Sequence, residues 1–232
     1  MKPKTITILA VIVAILVIAL SLFVVVFSEN HAGDSAKAAD NNDANLSRVA
    51  CLGDSITQIT GYPTDLQTLL GNTSVVGNFG VTGSTVDFYS SLPYFFQDAF
   101  KNATNFDPTT VIIMLGTNDA RTDNYQNINS FVADYEMMIY RIQLLVGNAQ
   151  IFLVEPPPIF NNTLNLNGTD LTQGVIPRIL QVANAENLRV IDVYDQFVNH
   201  PEYFPDGVHP DSEGAQIIAN IIYSAISSNS TT

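Results

Sequence analysis

Val49-Ala50-Cys51-Leu52-Gly53-Asp54-Ser55-Ile56-Thr57 is a short unbroken apolar run, closed by a glycine and followed by a hydroxyl. An apolar run of this length fits a strand covered on both faces, and the glycine lets the chain turn at its carboxyl end. Outward from it the same punctuation repeats. Strands are predicted over 49–52, 74–78, 110–115, 150–154 and 189–193. Between and after them, apolar residues recur at helical spacing over 62–70, 92–101, 128–146, 171–185 and 212–227. In the last of these the repeat is Ile217, Ile218, Ile221, Ile222 and Ile226. Strand and helix in alternation imply βαβ units, hence an α/β fold with a parallel five-stranded sheet between two helical layers. In such a sheet the ligand site lies beyond the carboxyl ends of the strands, so the reactive residues are expected just after them.

The chain before this domain reads differently. From Thr5 to Phe27 there is no charged residue, and at about 1.5 Å per residue the segment is long enough to cross a hydrocarbon layer about 30 Å thick. Residues 1–28 are therefore expected to form one N-terminal transmembrane anchor. A cleaved signal sequence is the alternative, with Ala36-Lys37-Ala38 resembling a cleavage site. Lys2 and Lys4 precede the span and Glu29 follows it, so the positive-inside rule puts the bulk of the chain outside the cytoplasm. The expected location is the cell membrane, single-pass with an extracellular domain, or secreted if the segment is cleaved. Residues 29–47, without an aromatic side chain, read as a flexible linker, and 48–228 as the folded domain.

Four segments of that domain carry chemistry. Ser55 follows the first strand. Near the C-terminus, Asp206-Gly207-Val208-His209-Pro210 enters the final helix. There the aspartate can fold back to hold one ring nitrogen of the histidine, leaving the other to take a proton from a serine. Pro210 suits a helix start, and Asp211 or Ser212 suits its cap. An oxyanion needs donors, and two further strand ends offer them. Gly83 in Asn78-Phe79-Gly80-Val81-Thr82-Gly83-Ser84-Thr85 can present a bare backbone N–H, and Asn118 in Gly116-Thr117-Asn118-Asp119 a side-chain amide. Each segment alone is ordinary turn chemistry. Together they supply nucleophile, donors and an acid–base pair.

In this set of blocks the sequence resembles the SGNH, or GDSL-like, hydrolases, from about Arg48 to the C-terminus, and no block departs from the family pattern. The resemblance implies a flavodoxin-like three-layer α/β/α fold, Ser55 as nucleophile, His209 as base and Asp206 as its orienting acid. It also implies an oxyanion hole of the Ser55 amide, Gly83 and Asn118. Pro156-Pro157-Pro158 after the fourth strand is expected to shape the cleft edge. No Gly-x-Ser-x-Gly frames Ser55, so the arrangement is not the α/β-hydrolase elbow. The general look is that of the family's carbohydrate O-acetylesterases, so an acetylated glycan or small ester is the expected substrate. A lysophospholipase or thioesterase is the alternative within the family, and a non-catalytic glycan-binding or envelope protein the alternative outside it.

Net charge narrows the partners. It is −13, and −15 once Lys2 and Lys4 are set apart with the anchor, so phosphate backbones find no basic stripe and nucleic acid is not an expected partner. His31, His200 and His209 show no metal-ligand spacing, so neither metal nor cofactor is expected; His200, before Pro201, reads as a surface loop residue. Cys51, the single cysteine, has no internal disulfide partner and is expected as a buried small hydrophobe. Asn-x-Ser/Thr acceptors stand at Asn45, Asn72, Asn102, Asn161, Asn167 and Asn229.

Overall fold

The computed structural model describes residues 46–228. The predicted anchor and nearly all of the predicted linker lie outside them. Among the described residues no helix is long and apolar enough to cross a membrane.

Five strands, β1 (Ser47–Gly53), β2 (Ser74–Gly80), β3 (Thr110–Met114), β4 (Gln150–Glu155) and β5 (Arg189–Asp192), form one sheet in the order β2-β1-β3-β4-β5. Every neighbouring pair is parallel. All five expected strands are present, with ends moved by a residue or two. The order reverses between β1 and β3, so the segments that follow their paired carboxyl ends diverge at a switch point, where an open α/β sheet leaves a crevice.

Side chains alternate across the sheet. Ala50, Leu52, Val111, Ile113, Ile151 and Leu153 face one layer, with Phe100 and Ala103 of α3 (Asp98–Asn105), Phe131, Tyr135, Met138, Ile139 and Ile142 of α4 (Phe131–Val146), and Ile179 and Val182 of α5 (Ile176–Ala185). Val49, Cys51, Ile112, Met114, Phe152 and Val154 face the other, against Tyr62 and Leu66 of α2 (Tyr62–Leu70) and Ala215, Ile218, Ala219 and Ile222 of α6 (Ser212–Ser227). A further short helix, α1 (Ser55–Ile59), directly follows β1. Cys51 is fully buried, and burial pushes its thiol up to about 12, which makes it the expected hydrophobe rather than a reactive group.

Three helices differ from expectation. The one predicted over 92–101 is shifted: Pro93 and Gln97 are extended, Tyr94–Phe96 makes a 3₁₀ turn, and α3 starts at Asp98. The one predicted from residue 128 starts at Phe131, because Tyr125–Asn127 forms its own 3₁₀ turn first. The one predicted over 171–185 is split into a π-helical turn, Leu171–Val175, and α5. Pro177 cannot donate to the carbonyl four residues earlier, and the turn ahead of it widens to a five-residue bond from the Ile176 N–H to the Leu171 carbonyl.

Candidate active site

Ser55 sits where β1 becomes α1. Asp54 caps the helix, its side chain accepting from the Ile56 N–H at 2.9 Å. The Ser55 N–H, first in the helix, has no acceptor within it. Gly53 serves close approach: a Cβ there would stand 2.0 Å from Thr57 Oγ1 and 2.7 Å from the Met114 carbonyl oxygen. Only glycine lets β1, α1 and β3 close together at this point.

His209 arrives from the opposite end of the chain. The Ser55 hydroxyl lies 2.8 Å from His209 Nε2, and Nδ1 lies 2.6 Å from Asp206 Oδ2. The other carboxylate oxygen, Oδ1, accepts from the backbone N–H groups of Val208 (2.9 Å) and His209 (2.7 Å). Desolvation pushes the Asp206 carboxyl up, but these hydrogen bonds, the His209 N–H foremost, outweigh it and hold the group below its ordinary value. An ionised Asp206 can only accept, so Nδ1 is the protonated nitrogen and Nε2 faces the serine hydroxyl as an acceptor. Gly207, at φ +82°, makes the loop: a Cβ would meet the Asn161 carbonyl oxygen at 2.2 Å. Asp211 caps α6 by accepting from Glu213 and Gly214 N–H, so Pro210 precedes the cap and is not the helix's first residue.

Ser55, Gly83, Asn118 and His209 line one cleft of about 220 Å³, with Thr82, Arg121, Leu164, Leu166 and Val208. Asp206 stands behind His209. A larger cleft of about 580 Å³ lies at the amino end of the sheet, among Ser47, Thr73, Thr109 and Gln150; it holds hydroxyls and an amide without a base, so size does not mark the site. Pro156, Pro157 and Pro158 are buried and do not line the active cleft. Its rim comes from the segment after them, at Leu164 and Leu166. His200 lies in the exposed loop expected for it, paired with Glu202 at 2.8 Å.

Asn118 is buried, and its amide nitrogen already donates to the Ser84 carbonyl at 3.1 Å and to Asp54 Oδ2 at 3.3 Å. Both its N–H bonds therefore have acceptors, the longer being the one that a ligand oxygen can displace. Beneath the site lie two carboxyl groups whose part the sequence did not reveal. Burial pushes Asp54 up to about 6 and Asp119 up to about 7. Asp119 accepts from the Val86 N–H at 3.0 and 3.1 Å and from the Asp87 N–H at 3.0 Å, and so ties the Gly83 loop to the end of β3. Its place in the Gly116-Thr117-Asn118-Asp119 block was the available signal.

Against known proteins, the model of the GDSL-like Lipase/Acylhydrolase family matches residues 51–217. The chain belongs to that family. It is the family that the four blocks led us to expect. This GDSL-like protein is 34% identical over 205 residues to an acetylxylan esterase of Xylanibacter ruminicola, an alignment covering 77% of this chain and 43% of that one. The chain therefore spans less than half the length of that relative. Among solved structures, the acetyl xylan esterase AlAXEase superposes with a TM-score of 0.62 at 23% identity, covering 77% of this chain and 99% of that one. The carbohydrate acetylesterase Est24 of Sinorhizobium meliloti gives 0.62 at 17%, covering 78% and 99%. Both share the fold.

Proposed function

We propose that this GDSL-like protein is a serine esterase that removes O-acetyl groups from carbohydrate through an acyl-enzyme on Ser55. The observation that carries the reading is the unbroken hydrogen-bond chain from Ser55 through His209 to Asp206. Ser55 Oγ attacks the ester carbonyl carbon while Nε2 takes the hydroxyl proton, and Asp206 stabilises the imidazolium that forms. The oxyanion is received by the N–H groups of Ser55 and Gly83 and by the Asn118 amide, which gives up its bond to Asp54 to do so. Collapse breaks the ester bond, and the leaving alcohol takes the proton from Nε2. A water molecule then attacks the acyl carbon, gives a proton to Nε2, and acetate leaves as Ser55 regains its proton.

The substrate class follows from two supports, the acetylxylan esterase relative and a cleft of about 220 Å³, small enough to suit a short acyl group. The apolar rim of Leu164, Leu166 and Val208 favours a second reading, a lysophospholipase or thioesterase. Hydrolysis of para-nitrophenyl acetate and its longer-acyl homologues, with Ser55→Ala beside it, separates them. Serine-dependent turnover falling with chain length is expected. Turnover rising with length supports the lipid reading, and turnover unchanged in Ser55→Ala removes Ser55 from the mechanism.

Within the same reading, residues 1–28 anchor the chain in a membrane, or are cleaved as a signal sequence, and residues 48–228 lie outside the cytoplasm in either case. Recovery of the full chain in the cytosolic fraction would contradict this.

A further inference from the structure

Tyr89 has 79% of its surface exposed, yet its backbone is held firmly. Its N–H donates to Asp87 Oδ1 at 3.0 Å, and the neighbouring Phe88 N–H donates to Asp134 Oδ2 at 3.0 Å. The Phe88 ring packs against Phe95 and Phe96, with centroids 4.8 and 5.3 Å away. On the far side, the Ser90 hydroxyl bonds the Thr85 hydroxyl and accepts from the Leu92 N–H, so the loop is pinned on both sides of Tyr89 and the exposed ring is presented by a rigid support.

Tyr89 forms one wall of a groove of about 370 Å³, with Gln126, Asn127, Asn129 and Ser130 as the others. Buried Asp87 organises it from below. Besides the Tyr89 N–H, its carboxylate accepts from the Ser130 hydroxyl at 3.1 Å and from the Asn127 amide at 3.0 Å. One side chain therefore fixes three of the five groove residues, which cuts the ordering that a ligand would otherwise impose. None of the five is charged.

We propose that this groove is a saccharide-binding subsite that holds the chain carrying the acetyl group. Amides and a hydroxyl both donate and accept, as do sugar hydroxyls. The face of an aromatic ring carries partial negative charge and attracts the C–H groups of a pyranose face. A lining without cations selects a neutral ligand over an anionic one, as does the net charge of −13. The groove and the catalytic cleft share no lining residue, but both draw on the same two loops. Gly83 and Tyr89 belong to one loop, Arg121 and Gln126 to another. Six residues from Gly83 to Tyr89 span at most about 21 Å, within the reach of a short oligosaccharide.

The inference rests on the acetylesterase reading, and the test separates the two. In the full chain, Tyr89→Ala should raise KM for an acetylated xylo-oligosaccharide about fivefold to tenfold, the size of a lost aromatic contact. Its kcat, and all kinetics on para-nitrophenyl acetate, should stay at the parent value, and Tyr89→Phe should behave as the parent on both. Unchanged KM in Tyr89→Ala would overturn the subsite. Absence of turnover on either ester would instead remove the esterase reading. Calorimetric titration of the unacetylated oligosaccharide into Ser55→Ala, with and without Tyr89→Ala, then decides the groove by itself: loss of binding in the double variant supports it, and equal or no binding overturns it.

Discussion

Replacing Asp119 by asparagine tests how the site is held together, and the effect is readable in pH. Asp119 is buried and pushed up from 3.8 to about 7, chiefly by desolvation, against the opposing hydrogen bonds from Asp87 and Val86. The folded chain therefore keeps this proton to near neutrality, while the unfolded chain releases it near 3.8. Stability from this group is complete below the unfolded value and is lost as pH rises through about 7. A shift of roughly three units at about 1.36 kcal/mol each gives a loss of about 4 kcal/mol between pH 4 and 8. Asparagine cannot ionise. Its Oδ1 can keep the bonds that Asp119 Oδ1 accepts from Val86 and Asp87, so the variant should retain the loop contact without the pH-dependent loss. Urea unfolding of the isolated fragment 45–232 at several pH values measures this directly. The stability difference should move in favour of Asp119→Asn by about 4 kcal/mol from pH 4 to pH 8. Parallel curves for parent and variant would show that Asp119 is not held protonated by the fold.

Two further outcomes follow from the same geometry. Asn118→Ala removes a proposed oxyanion donor and should cost about 10²–10³ in kcat with KM little changed; near-parental steady-state kinetics would exclude that role. Gly53→Ala forces a Cβ to within 2.0 Å of Thr57 Oγ1 and 2.7 Å of a backbone oxygen. It should lower stability by at least the 1–3 kcal/mol or so typical of overpacking, and a parental urea midpoint would contradict the close approach.

The central strands β1, β3 and β4 were legible as short apolar runs, buried almost throughout and closed by a glycine, proline or polar turn, while the partly exposed edge strands β2 and β5 were legible from their place between helical segments. The site was legible for a related reason: Ser55, Gly83 and Asn118 each follow a strand's carboxyl end, and Asp206 and His209 share one loop. Helix starts were less so. Leu92 and Phe95 continue the apolar spacing of α3 backwards, but Pro93 is held extended by its bridge to Thr85, and Tyr94–Phe96 makes only a 3₁₀ turn. Pro177 likewise looks compatible with one long helix until its missing N–H is counted. The supporting carboxylates were hidden because burial decides their role. Asp54 reads as a turn residue and Asp87 as a loop acid, and only the fold shows the first capping α1 beside Asn118 and the second drawing Tyr89, Asn127 and Ser130 together.

The most direct test of the central claim is to treat the full chain with a serine-directed phosphonate ester and locate the adduct by peptide mass spectrometry. A single adduct on Ser55, formed at a rate that collapses in His209→Ala, is the predicted result. Labelling at another residue, or equal labelling with and without His209, would contradict Ser55 as the activated nucleophile.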